Sequence, residues 1–305
     1  MRPIRVNADY DEVLAGRPPR ALQVRAIECL AFWVQDAPVA VEGEYAEDYL
    51  IHVAHHSGRM PRPVRDRDAQ NWWGQLTDLP LERRLNSKLW ARNWWANHYR
   101  YEGGVAFDEA SVLALLNPNG ATLVKRDHGM SGRGHWVIPA DEWEAQKARV
   151  LPWLADGVVV EPLYARTQDV SALWLPEENR FIYYRNQVDA RFQWRGCRIE
   201  REGAPNFDVA QERALAPWRE QLDLLARDVR SAGHLGPFSV DAFFYRGNDG
   251  ELFMPCTEIN ARKTMGWVAY NLAKCLGQDG GCLELGTEGL ALAPAGSAFP
   301  WVWRT

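Results

Sequence analysis

The 305 residues carry a formal net charge of −5, with 47% hydrophobic and 25% charged side chains, ordinary globular proportions that exclude a disordered or fibrous chain. No block of Lys and Arg offers an electrostatic footprint for nucleic acid, and no apolar run approaches the roughly 18 residues of a membrane span. The five cysteines are scattered without a CxxC pair, and Met1 to Gly16 has no apolar leader core, so a reducing, cytoplasmic setting is expected.

Along the chain, Ala21 to Trp33 is largely apolar, Val39 to Val41 is short and β-like, and Ala46 to His56 reads as a helix closed by Ser57-Gly58. Together these form a short α/β lobe over residues 1–81. A helix is predicted from Glu82 to about Tyr99, with Leu85, Leu89, Trp90, Trp94 and Trp95 on a wide apolar face. It opens a second unit, 82–160, which continues with a helix near Asp108 to Leu116, a strand Ala121 to Arg126 and a glycine-rich loop. A strand His135 to Ile138, a helix Asp141 to Leu154 and a strand Val158 to Leu163 follow. The third unit, 161–305, holds a β-like run Phe181 to Gln187 and a helix from about Asp208 to Ala232, whose stripe Leu215, Trp218, Leu222, Leu225 and Val229 is core. Two β-rich runs, Phe238 to Tyr245 and Leu252 to Asn260, read as a hairpin. The tail Phe299 to Trp303 is expected to pack on the core, or on a second copy in a homodimer, rather than to bind ligand. The fold class is α+β.

Lys125 stands at the end of its predicted strand, just before Gly129, Ser131, Gly132 and Gly134. Glycines let backbone N–H groups approach an anion with no Cβ in the way, and a lysine adds a point charge, so such a loop can cradle phosphate. A Walker loop places its lysine after the glycines and a dinucleotide loop runs into a helix; neither fits here. The segment reads equally as a hairpin loop beside an ordinary surface lysine, and as a loop-adjacent residue Lys125 is expected to add nothing to the core.

The hairpin is more informative. A two-residue turn at Asp249-Gly250 pairs 248 with 251, which puts Asp241 opposite Glu258 and 239 opposite 260. Two carboxylates directly opposed, with Cβ atoms about 4.5–5.5 Å apart, destabilise a sheet unless a cation lies between them. Magnesium suits one or two carboxylates plus phosphate oxygens, and Asn260, two residues on along the same face, adds an amide oxygen. Arg262 points to the same place if the strand continues. A register slipped by one residue would instead leave separate, solvated charges. His52, His55 and His56 lack the flanking pattern of a zinc site and read as solvated. Arg185 and Gln187 could reach phosphate or substrate, or Arg185 could pair with a surface carboxylate.

Glu258-Ile259-Asn260-Ala261-Arg262 matches the E-x-N-x-R signature of the ATP-grasp enzymes, and Lys125 with the 129–134 loop resembles their strand lysine and phosphate-covering loop. The resemblance covers about residues 82–275. It implies two α+β subdomains gripping ATP, preceded by a shortened α/β lobe. It further implies nucleotide contacts from Lys88, Lys125, Ser131, Gly132, Gly134 and Asp169, and from Glu161 and Leu163 in a hinge-like Val158 to Leu163. Magnesium would be held by Asp241, Glu258 and Asn260, with catalytic roles for Arg262 and Lys125 and substrate contacts from Arg185 and Thr264. The Asp at 241 departs from the commoner Glu. The activity implied is ATP- and Mg2+-dependent formation of an acyl phosphate from a small-molecule carboxylate and its capture by an amine. A kinase of the same fold and a nucleotide-binding module without turnover are the alternatives.

Overall fold

The computed structural model describes residues 1–18, 21–99, 102–129, 134–200, 206–247 and 250–305, with backbone alone at 21–23 and 25. The amino-terminal lobe comprises β1 (Ile4–Arg5), α1 (Tyr10–Leu14), α2 (Ala21–Val34), β2 (Val39–Ala40), α3 (Glu47–Ser57), β3 (Pro63–Val64) and β4 (Gln70–Asn71). Its strands form a parallel sheet in the order β3-β2-β1-β4. The predicted stop of α3 is real: Gly58 takes φ 70, and its N–H closes on Ala54 O.

Where one helix was expected from Glu82 to Tyr99 there are two, α4 (Leu79–Leu85) and α5 (Lys88–Ala96). Each has its own cap: Asp78 accepts the Leu81 N–H and Ser87 accepts that of Trp90. Asn86, at the break, donates to Glu82 O and accepts the N–H of Ala261 at 2.9 Å, a tie to the far end of the chain that hydrophobic periodicity cannot reveal. The break makes Lys88 the first residue of α5 and turns it toward the second sheet's glycine loop.

That second sheet, ordered β5-β8-β6-β7, is antiparallel throughout and is built from β5 (Gly104–Ala106), β6 (Thr122–Arg126), β7 (His135–Ile138) and β8 (Val158–Pro162). It packs α6 (Glu109–Leu115) and α7 (Trp143–Val150) around Val112, Val124, Ile138, Trp143 and Val160. The helix predicted to run to Leu154 changes at Leu151 to a single 3-10 turn carrying Pro152, whose ring cannot extend an α-helical ladder.

The remainder forms an eight-stranded sheet, ordered β13-β12-β9-β10-β11-β14-β16-β15, from β9 (Arg166–Leu175), β10 (Arg180–Val188), β11 (Trp194–Glu200), β12 (Phe238–Gly247), β13 (Gly250–Asn260), β14 (Gly280–Leu285), β15 (Leu290–Ala291) and β16 (Trp301–Arg304). Alternation along its strands separates two cores. Val170, Ala172, Val240, Ala242 and Ile259 face α8 (Val209–Ser231), which begins with a capping box between Asp208 and Gln211 and contributes the expected stripe from Leu215 to Val229. Leu173, Ile182, Ile199 and Leu283 face the other way, toward α9 (Met265–Cys275) and the amino-terminal lobe. Because Val240, Ala242 and Ile259 are committed to α8, the residues between them, Ser239, Asp241, Glu258 and Asn260, are turned to the opposite face. No helix among the described residues is long and apolar enough to cross a membrane.

Candidate active site

The pairing of β12 with β13 sets Asp241 opposite Glu258 and Ser239 opposite Asn260, as the turn argument predicts. The route to that register differs. Near the turn Glu251 pairs with Arg246 and Gly250 with Gly247, and a bulge between Asp241 and Phe243 then moves the register by two residues. Asp249 of the predicted turn lies outside the described residues.

Around the acids a hydrogen-bonded relay crosses four neighbouring strands. Trp194 Nε1 donates to Asn186 Oδ1 at 3.1 Å, Asn186 Nδ2 to Ser171 Oγ at 2.6 Å, and Ser171 Oγ to Asp241 Oδ1 at 2.6 Å. Asn260 Nδ2 donates to Asp241 Oδ2 at 3.0 Å. Both Asp241 oxygens are thus met by neutral donors, and burial, reinforced by the charge of Glu258, pushes its carboxyl up to about 7. Glu258 behaves oppositely. Burial alone would raise it, but the Lys88 ammonium, 2.5 Å from Oε2, outweighs that and holds it down at about 2.

Lys88 is joined at this cleft of about 340 Å³ by Lys125 and Arg262, and by Arg166 and Arg195 farther along the wall. Lys88 also donates to Gly129 O at 3.0 Å, at the start of the glycine loop. Lys125 lies 2.8 Å from Glu161, and both side chains are only 2% exposed. The expectation that Lys125 adds nothing to the core is therefore corrected: it holds the charge of a carboxylate buried in the sheet. Arg262 follows the end of β13, with its backbone N–H on Asn260 O. Its side chain still reaches the site, donating from Nη2 to Asn260 Oδ1 at 2.9 Å and from Nε to Asp11 Oδ1 at 3.1 Å, with Nη2 also 3.1 Å from Asp11 Oδ2. The amino-terminal lobe thereby grips the arginine of the signature. His135, beside Lys125 in register on β7, is pushed down to about 3, by burial first and then by Lys125 and Lys88, so it stays neutral in the cleft. Gly266 lets the first turn of α9 lie on Tyr184, since a Cβ there would come 2.2 Å from the phenol ring.

Comparison with protein-family profiles and with curated proteins finds no match. Among solved structures, N5-carboxyaminoimidazole synthetase from Staphylococcus aureus is similar at 11% identity, with a TM-score of 0.52 over 93% of this chain and 82% of that one; the same enzyme complexed with ADP gives the same values. The chain has the ATP-grasp fold. A pyruvate carboxylase from Rhizobium etli is matched over only 24% of its own length, covering 81% of this chain at 15% identity and a TM-score of 0.46.

In this ATP-grasp cleft the wall includes Lys88, Lys125, Asp169, Asp241, Glu258, Asn260, Arg262 and Thr264, all singled out from sequence. Asp169 is held there by Arg166 at 2.8 Å, and Thr264 stands at the amino end of α9 without capping it. Glu161 is taken up by Lys125, and Leu163 follows β8 with its N–H on Ala121 O; neither is among the cleft-lining residues, nor is Gly134, whose carbonyl accepts the Arg126 N–H. Ser131 and Gly132 lie outside the described residues. Arg185 alternates away from Tyr184 and Asn186: it lies over Phe207 at 5.4 Å and lines an adjoining groove with Gln187 and Arg198. His52, His55 and His56 pack on one another and on Trp33, and no cluster of three or more His, Cys, Asp or Glu able to hold a metal occurs among the described residues. The tail packs on the core as expected, with Trp301 and Trp303 buried there, and Phe299 and Trp301 also line the cleft. Asp11, Ser171, Asn186 and His135 were missed. Each is a common residue in an unremarkable local pattern, and only the tertiary pairing gives it meaning.

Proposed function

We propose that this chain is an ATP- and magnesium-dependent ligase that activates a small-molecule carboxylate as an acyl phosphate and couples it to an amine, amino acid or peptide-like, with release of ADP and phosphate. The observation that carries the reading is the direct opposition of Asp241 and Glu258 on one cleft wall beside Lys88, Lys125 and Arg262. The acids fit magnesium. The donors are all oxygen, and Asp241 has only neutral partners and is pushed toward protonation, the signature of an acid pair short of one cation. Asp241, Glu258 and the Asn260 amide oxygen would hold the ion, which when bound supplies charge neutralisation to phosphate. The likeness to an enzyme solved with ADP supports a nucleotide in the same cleft.

Phosphoryl transfer needs positioning and charge more than covalent help. Lys88, fixed between Glu258 and the Gly129 carbonyl, and Lys125, fixed by Glu161, are cations held in place at the cleft wall. Arg262, braced by Asp11 and Asn260, would lend its positive charge to the carboxylate and the transferred group. The test uses ATP, magnesium and a panel of carboxylic acids, with hydroxylamine in place of the amine. Hydroxamate with stoichiometric ADP is expected, and AMP with pyrophosphate overturns the reading. A phosphorylated product stable to hydroxylamine would mark the kinase alternative.

A further inference from the structure

One end of the cleft is built unlike the other. Asp241 and Glu258 stand on β12 and β13, whereas across the sheet, toward β11 and β16, the wall includes Trp194, Trp301, Phe299 from the tail, Met265 from α9 and Ile27 from the amino-terminal lobe, with Trp73 of that lobe beside Arg262. These six side chains come from stretches up to 274 residues apart, from Ile27 to Trp301. The Trp194 and Trp301 rings lie 5.8 Å apart. Both turn their only polar group into the protein, Trp194 Nε1 to Asn186 and Trp301 Nε1 to the Ala26 carbonyl, and so offer bare ring to the cavity. Trp73 is 3% exposed, lies 5.8 Å beneath the Arg262 guanidinium, and its Nε1 finds no acceptor among the described residues. The remaining cation there, Arg195, is held by Asp189 at 2.6 Å and leaves no second anion site.

We propose that this end receives the side chain of the carboxylate substrate, and that the substrate is a monocarboxylic acid of amino-acid size bearing an aromatic ring. The assignment deepens the ligase reading and rests on it for the word substrate. The acid, rather than the amine, is placed here because Arg262 lines the cleft as a donor-only cation, with one Nη1 N–H beyond those given to Asp11, Asn260 and Lys263, which suits a carboxylate. The ring, rather than a branched alkyl group, is chosen because three indoles and a phenyl form the wall, and aromatic pairs gain from offset or edge-to-face contact beyond area burial. The relay from Trp194 to Asp241 ties this wall to the acid pair, so a ring seated against Trp194 registers its carboxylate beside the phosphate-handling groups.

The assignment is tested by saturation-transfer NMR on the full chain with Mg·ADP and an equimolar mixture of phenylalanine, 3-phenylpropionate, leucine, glutamate and acetate. The ring protons of the first two should receive the strongest transfer. Trp194→Leu and Phe299→Leu should each weaken their binding about tenfold, and retained Mg·ADP binding in the variants distinguishes a local loss from misfolding. Leucine, glutamate or acetate binding as well as the aromatic acids would overturn the assignment, as would unchanged aromatic binding in two folded variants. The hydroxamate assay then separates the two readings. An aromatic acid that binds but gives no hydroxamate sinks the ligase and leaves the binding site, whereas preferential hydroxamate from glutamate or acetate does the reverse.

Discussion

Two pairs of charged side chains on two sheets meet burial in opposite ways. In the smaller sheet Glu161 of β8 is matched by Lys125 of β6 at 2.8 Å, and the pair is complete within the protein. In the larger sheet Asp241 of β12 faces Glu258 of β13, and Lys88 compensates one of the two charges. The first arrangement closes its own electrostatics and holds two strands together. The second is left one cation short, and that deficit is what makes it a binding site rather than a brace. A buried charge reports function when the fold fails to neutralise it.

The largest effect should fall on the closed pair. Lys125→Ala leaves Glu161 charged and unpaired at 1% exposure, and should cost about 3–5 kcal/mol in urea unfolding. The double change Lys125→Met, Glu161→Leu should recover most of that, and an unchanged midpoint in the single variant would break the contrast. Next comes magnesium. At about 100 times its dissociation constant it should stabilise the wild type by about 2.7 kcal/mol, while Asp241→Asn and Glu258→Gln should each lose most of that response; equal stabilisation of all three chains would place the ion elsewhere.

The smallest effect is on pH dependence without metal. Asp241 has a raised carboxyl in the folded chain, so its contribution is present at acidic pH and is lost as pH rises from about 3.8 through about 7. Glu258 is held low, so its contribution is present above about 4.5 and lost as pH falls toward 2. Between pH 5 and 8 in a chelator, the wild type should therefore lose stability with rising pH relative to Asp241→Asn. Parallel curves would mean that Asp241 stays ionised through that range.

The legible parts of this fold were those written locally. The strand β7 occupies the four residues predicted, and α8 carries its stripe between the capping Asp208 and Ser231. That Asp241 and Glu258 share a face was legible because strand alternation has period two, which the two-residue shift at the bulge preserves; their direct opposition depends on that bulge, since the register near the turn would set Asp241 opposite Cys256. What could not be read depends on partners far along the chain. The run Arg166 to Leu175 is half polar and becomes a central strand only because β12 and β10 pair with it on either side, Ala172 lying between Val240 and Tyr183. The division of α4 from α5 is tied by Asn86 to Ala261, and the Arg262 fork is set by Asp11, 251 residues away. No local pattern at either end announces such a contact.

The same long ties bear on how the chain is made. Trp33 and Tyr49 both bond to the Leu292 carbonyl, and Trp301 reaches back 275 residues to Ala26. At about 5–20 residues per second on the ribosome, the amino-terminal lobe waits about 10–50 s for the strands that cover it, with Trp33 and its neighbours bare in the interval. Contacts of such span also slow the folding search itself, because the loop must close before they contribute. A stop codon before Leu290 would thus remove only a small fraction of the residues yet leave the lobe made first without its cover, so such truncation should appear in cells as chaperone dependence and proteolysis starting at the amino-terminal end.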